Sequence, residues 1–152
     1  MPTSIYAYQK LSTPHTIIDA RLPDNAGPDD DLRCTELCTI AGVTYLAVPD
    51  ELLPLPEQPE GIDLQPVELT PELKERIRAA SPHLQLIARR IIDKIRSRYS
   101  IDDELFMARM AGGISTGLYE PTESELAEVA EYGAFVEGVR AWGRAERAKL
   151  GV

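Results

Sequence analysis

Thr70-Pro71, Ser81-Pro82, Ser100-Ile101-Asp102-Asp103 and Thr122-Glu123-Ser124-Glu125 decide the fold of the second half of this chain. Each places a hydroxyl where it can accept a hydrogen bond from the first turn of a helix. Two follow it with proline at the first helical position, where a missing N–H costs nothing. The other two put carboxylates against the positive end of the helix dipole. The signals predict helices starting after Thr70, Ser81, Ser100 and Thr122. In the second helix, Leu84, Ile87, Ala88, Ile91, Ile95 and Tyr99 recur at helical spacing along one face, and Leu86 and Ile92 widen it. The third carries Leu105, Phe106 and Met107 and is expected to stop at Ala111-Gly112-Gly113, before a loop from Ile114 to Pro121. The last should run from Glu123 to about Leu150, with an aromatic stripe of Tyr132, Phe135, Val139 and Trp142. Gly133, Gly138 and Gly143 recur inside it, each costing ~1 kcal/mol against alanine. Such glycines predict close approach of another backbone. The last helix is therefore expected to offer one face to its own core and a second to a partner.

Upstream of Thr70 the periodicity changes. Ser4 to Tyr8 and His15 to Ala20 are short β-branched and aromatic runs. The run from Leu22 to Asp31 is a loop with two prolines, a glycine and Asp29-Asp30-Asp31. Cys34 to Ile40 and Val43 to Val48 flank Ala41-Gly42, a two-residue hairpin connection in which Gly42 can supply positive φ. A lone hairpin is marginal in water, so the earlier strands or a partner's strands must complete the sheet. Residues 49–71 hold six of the twelve prolines together with Leu52, Leu53, Leu55, Ile62, Leu64, Val67 and Leu69. Proline suppresses helix and central strand, so the segment is expected to be extended. It is either an arm laid on a surface, its own or a partner's, or a semi-rigid spacer with incidental aliphatics. The predicted class is α+β: a small antiparallel β module (1–48), a proline-rich arm (49–70) and a helical bundle or hairpin (71–152).

The 152 residues suit one modest core or two small ones. No apolar stretch approaches the ~20 residues that a bilayer crossing needs. Met1-Pro2-Thr3-Ser4-Ile5 lacks the basic and apolar regions of a signal peptide, so a chain made and kept in a cytoplasm, or packaged from one, is expected. The net charge of −9 lies wholly in residues 1–70, with 12 acidic and 3 basic groups; residues 71–152 hold 13 of each. That half is itself in blocks: +5 over 71–98, −8 over 99–137 and +3 over 138–152. Opposite blocks favour antiparallel neighbours at about 0.2–1 kcal/mol per exposed pair, which selects an arrangement without creating stability. An acidic chain is a poor general nucleic-acid binder, so the basic run Arg89, Arg90, Lys94, Arg96 and Arg98 is read as a solvated face or a partner for the acidic block.

Chemistry-bearing motifs are sparse. Cys34 and Cys38 stand four residues apart on a predicted strand, roughly 13 Å, beyond the ~7 Å limit for a disulfide. Only His15 and His83 could join them on a metal, without regular zinc spacing, so structural thiols are expected. His83, at the second position of a helix, is expected to cap or pack. The glycine-rich run Ala111 to Gly117 lacks the lysine and the strand of a phosphate loop. Asp102, Asp103 and Glu104 are explained by the helix they open; Asp29, Asp30 and Asp31 lack an EF-hand's alternating ligands. No catalytic residue, cofactor or metal is expected, and the chain is predicted not to be an enzyme.

The runs Ser81 to Ile87, Ile95 to Leu105 and Tyr132-Gly133-Ala134-Phe135-Val136-Glu137-Gly138-Val139-Arg140-Ala141-Trp142-Gly143, continuing to Gly151, resemble small tail-associated proteins of tailed bacteriophages, most nearly those of Mu-like siphophages. The resemblance covers roughly residues 66–152. It implies a non-enzymatic structural subunit of a tail tip, baseplate or fibre attachment, located in the virion tail after synthesis in the host cytoplasm. Its partners would be other tail or fibre proteins in a homo-oligomer or hetero-complex, with no nucleic acid and no membrane insertion. The alternatives are a tail-fibre assembly chaperone not retained in the virion and an acidic inhibitor of a host protein. The residues expected to meet partners are Leu52, Leu53, Leu55, Ile62 and Leu64 on the arm, and Tyr132, Phe135, Val139 and Trp142 on the last helix.

Overall fold

A computed structural model describes residues 2–23 and 32–152. Of the expected loop from Leu22 to Asp31, positions 24–31, with Asp29, Asp30 and Asp31, lie outside the described residues. The chain is α+β, with a small antiparallel sheet in its N-terminal half followed by four helices, the last long and C-terminal. Its contacts gather into two compact units, Met1–Leu86 with Ala145–Val152, and Ile87–Arg144.

In the first unit, β1 (Thr3–Tyr8), β4 (Thr35–Ile40), β5 (Val43–Pro49) and β6 (Gln65–Pro66) form one sheet in the order β4-β5-β1-β6. Between β1 and β4, β2 (Leu11–Ser12) and β3 (Ile17–Ile18) form a separate two-stranded ribbon. All pairs are antiparallel. The β4–β5 turn has positive φ at both Ala41 (49°) and Gly42 (81°), the backbone of a type I′ hairpin. Thr39 faces Thr44 across it with their hydroxyls 2.8 Å apart, and a register shift between Glu36 and Cys38 marks a bulge. Strand alternation sends Tyr8, Leu46 and Val48 to one face and Ile5 and Ala47 to the other, and all five are buried.

The proline-rich segment covers the first of those faces. After a single 3₁₀ turn at Asp50–Leu52, a departure from the fully extended path expected, it crosses the sheet. Ile62 is buried with Tyr8, Leu46 and Val48, and Leu55 and Leu64 pack against the same cluster. The Val67 N–H donates to the Ile5 carbonyl at 2.8 Å, and β6 pairs with β1 at Tyr6 and Ala7. The Gln58 side chain clamps the crossing by hydrogen bonding to both the N–H and the carbonyl of Arg21. The arm thus lies on its own chain. On the opposite side, α1 (Pro71–Ala80) packs against β4 and buries Ile77, while the turn at Gly151 approaches Thr3 and Ile5.

The helix signals act as expected in three places of four. Thr70 Oγ1 accepts from the Leu73 N–H at 3.2 Å and starts α1. Ser100 and Asp103 form a reciprocal capping box that starts α3 (Ile101–Ser115), with bonds of 3.1 and 2.8 Å. Thr122 and Glu125 do the same for α4 (Glu123–Lys149). Ser81 differs. Its N–H donates to the Ile77 carbonyl and closes α1, and its own carbonyl accepts from the Gln85 N–H in α2 (Pro82–Arg96). Its hydroxyl is fully buried and finds no partner among the described residues; the side chain that bridges the junction is Gln85, whose Nε2 donates to the Ala79 carbonyl at 2.6 Å.

A second correction concerns α3, which runs through Gly112-Gly113 to Ser115 instead of stopping there. The true stop is Gly117, whose φ of +70° lets Leu118 and Tyr119 turn back and donate to the Gly113 carbonyl.

Candidate functional site

In the second unit, α4 turns its expected partner stripe toward α2. Val139 and Val136 are buried with Ile95, and Tyr132 and Phe135 are half-buried against them. Tyr99 stands edge-on to Tyr132 with ring centres 5.0 Å apart and tilted to Phe135 at 5.6 Å. The Lys94 ammonium sits 4.5 Å from the ring centre of Trp142, itself only partly exposed. Gly143 explains how the helices come close, because a Cβ there would lie 2.4 Å from Ile91 Cδ1. A Cβ at Gly133 or Gly138 would meet nothing within 4 Å, so those two glycines admit no close neighbour.

Two of the expected partner contacts are therefore core residues. Val139 is covered by α2, and Ile62 is covered by the sheet. Leu52, Leu55, Leu64, Tyr132, Phe135 and Trp142 are half-buried, and Leu53 is barely exposed, at 37%. An open hollow of about 480 Å³ lies between Tyr6 and the arm, lined by Leu53, Pro54, Leu55 and Ile62 among others.

Exposed large apolar side chains occur at Ile17 and at Leu86 and Ile92 of α2, and they are most numerous on α3 and the turn that follows it. Ile101, Leu105 and Phe106 are each just over half exposed, Leu118 is 87% exposed, and Tyr119 and Leu126 are also exposed. On α3 the exposed positions Ile101, Leu105, Ala108 and Gly112 follow i, i+4, i+7 and i+11, which is one continuous face about 17 Å long. Met110 is the buried residue of the opposite side. Phe106 turns from the outward face into a second open hollow, about 380 Å³, shared with Arg109, Met110, Tyr119 and Glu125.

The polar groups of this hollow are held locally. The Tyr119 hydroxyl donates to Glu125 Oε1 at 2.7 Å, and the other oxygen of Glu125 accepts from the Thr122 N–H at 2.8 Å. Donation to Glu125 raises the Tyr119 phenol above its ordinary range, and the same bond, with that to Thr122, lowers the Glu125 carboxyl. Both groups move away from neutrality, the reverse of what acid–base chemistry near pH 7 requires. No carboxylate among the described residues pairs with Arg109.

The charged rim is acidic. Across residues 99–137, Asp102, Asp103, Glu104, Glu120, Glu123, Glu125, Glu128, Glu131 and Glu137 are opposed by Arg109 alone. Among the described residues the basic block upstream reaches this rim where Arg96 pairs with Glu104 at 3.9 Å and Arg98 with Glu131. The arrangement expected from the opposite charge blocks is present in α2 and α4, which run antiparallel, Ile91 meeting Gly143 and Tyr99 meeting Tyr132.

The signal for this face lies in the composition of α3. After its first turn, α3 carries one charge, Arg109, and apolar or small residues on every side. A helix of that kind is normally buried all round.

The remaining candidates stay modest. Burial pushes the thiols of Cys34 and Cys38 above their ordinary range; neither is in a disulfide. No group of three or more His, Cys, Asp or Glu among the described residues could hold a metal ion, and no described helix is long and apolar enough to cross a membrane. No family model, curated protein or solved structure matches the chain.

Proposed function

We propose that this chain is a non-enzymatic assembly subunit that binds other protein chains through the outward face of α3 and the adjoining turn. The observation that carries it is the exposure of Ile101, Leu105, Phe106 and Leu118 on one well-formed helix and its C-terminal turn. Ile101, Leu105 and Phe106 are already half covered, so burying the rest of each is worth roughly half of the ~1.5–3 kcal/mol of a fully exposed side chain, and clustered apolar exposure marks interaction sites. The resemblance of residues 66–152 to small phage tail proteins supplies the setting: a structural subunit of a tail tip, baseplate or fibre attachment, in contact with other tail or fibre proteins. Mass spectrometry and cryo-electron microscopy of purified virions test it. The chain is expected in mature particles with α3 against a neighbouring subunit, and its absence from them would exclude the structural role.

A second role, a tail-fibre assembly chaperone released before maturation, would use the same exposed side chains of α3. Co-expression separates the two. A chaperone would raise the yield of soluble fibre while remaining absent from particles.

A further inference from the structure

We propose that residues 9–22 form a strap that opens from the sheet as one unit while the sheet stays folded, with Lys10 as its latch. The strap lies wholly in the first unit and is independent of the assembly surface on α3. Among the described residues its two strands, β2 and β3, pair with each other and neither joins the four-stranded sheet. A ribbon of two two-residue strands has little stability of its own, so side-chain contacts must hold it down.

Those contacts are few. Leu11, Ile18, Ala20 and Leu22 pack on the cluster of Tyr8, Leu46, Val48 and Ile62, and each of the four is only half-buried. Every position from Ser12 to Ile17 is exposed. Beneath the strap, by contrast, Leu46 and Val48 are fully buried on β5, which pairs on both sides, with β1 and with β4. A segment with few buried apolar contacts opens at lower free energy than the core it covers. Opening would bare part of that cluster, which makes the strap a lid over apolar surface.

Polar clamps close the two ends. The Lys10 ammonium donates to both oxygens of Glu36 on β4, at 3.0 and 2.9 Å, and stands 3.0 Å from Asp19 Oδ1 just past β3. One cation thus ties the start of the strap, its return strand and the sheet together. Hydrogen bonds to Glu36 and then to Asp19 keep that ammonium charged above its ordinary range. At the far end the Gln58 side chain holds the N–H and the carbonyl of Arg21. Gly61 lets the arm pass close to Leu11, since a Cβ there would lie 2.8 Å from Leu11 Cδ1.

Native-state hydrogen exchange of the full chain, followed by NMR across a urea series below the unfolding midpoint, tests the strap. The amides of the β2–β3 pairing and of Arg21 should share one opening equilibrium, at least roughly a hundredfold more populated than the one that exposes the β1–β5 amides, and less steeply dependent on urea. Lys10→Met should speed exchange of the strap amides by at least about threefold and leave the β1–β5 amides unchanged, whereas Lys10→Arg, which keeps the cation, should retain the protection. Strap amides that exchange only together with the β1–β5 amides would overturn the inference, and so would independent opening of the β2–β3 amides and of Arg21. Lys10→Met acting equally on strap and sheet, or on neither, would overturn it as well. The wild-type series alone decides whether the strap opens, even if a variant fails to fold.

Discussion

The sheet unit and the helical unit solve the same problem in opposite ways. The four-stranded sheet has two apolar faces, and its own chain closes both, with the proline-bearing arm on one side and α1 with the C-terminal turn on the other. Helix α3 also has two apolar sides, and only the side bearing Met110 is closed. The segment that could have lain on its own chain or on a partner, studded with leucine between prolines, lies on its own sheet. The bare surface sits on a helix that gave no outward sign of a second role beyond its composition.

The contrast can be broken most forcefully in the sheet. Leu46 is 1% exposed in the cluster that the arm covers, and Leu46→Ala should cost about 2–5 kcal/mol by urea unfolding. A loss below about 1 kcal/mol would mean that the arm does not close this face. A smaller effect separates the glycines of α4. Gly143→Ala forces a methyl group into Ile91 and should destabilise by about 1 kcal/mol, overpacking outweighing the gain in helix propensity. Gly138→Ala enters open space and should instead stabilise by up to ~1 kcal/mol. Opposite signs in thermal unfolding check the packing of α4 on α2.

The cap of α3 sharpens the comparison more gently. Ser100→Ala should cost about 1 kcal/mol of helix stability. Hydrogen bonds from the Ser100 hydroxyl and then its backbone N–H lower the Asp103 carboxyl below its ordinary value of 3.8. Its contribution is therefore fully present above that value and is lost as pH falls through the lower, folded-state pKa. Helicity of wild-type α3 should weaken over that acid range, and Asp103→Asn should remove that component of the pH dependence when followed by circular dichroism.

Turn and cap chemistry made most elements legible from sequence. Ala41-Gly42 announced its hairpin, and Ser100 and Thr122 announced their helices because each signal is complete within four residues. The destination of the arm was not legible. Proline dictates an extended path, but which surface receives Ile62 depends on strand alternation in β1 and β5, some fifty and fifteen residues away. Gly112-Gly113 misled because glycine only permits a helix to end, whereas Gly117 ends it by adopting a left-handed φ. The bare face of α3 was half legible. The single charge after its first turn was visible, but which side would be covered depends on where the turn to α4 sends Tyr119.

A paired unfolding experiment on Leu105→Asp and Ile62→Asp tests the central contrast most directly. A folded chain with α3 bare and the arm in the core should lose less than about 0.5 kcal/mol in the first variant and several kcal/mol in the second. If Leu105→Asp proves as damaging as Ile62→Asp, the α3 face is covered within its own chain, and an assembly surface at that position is ruled out.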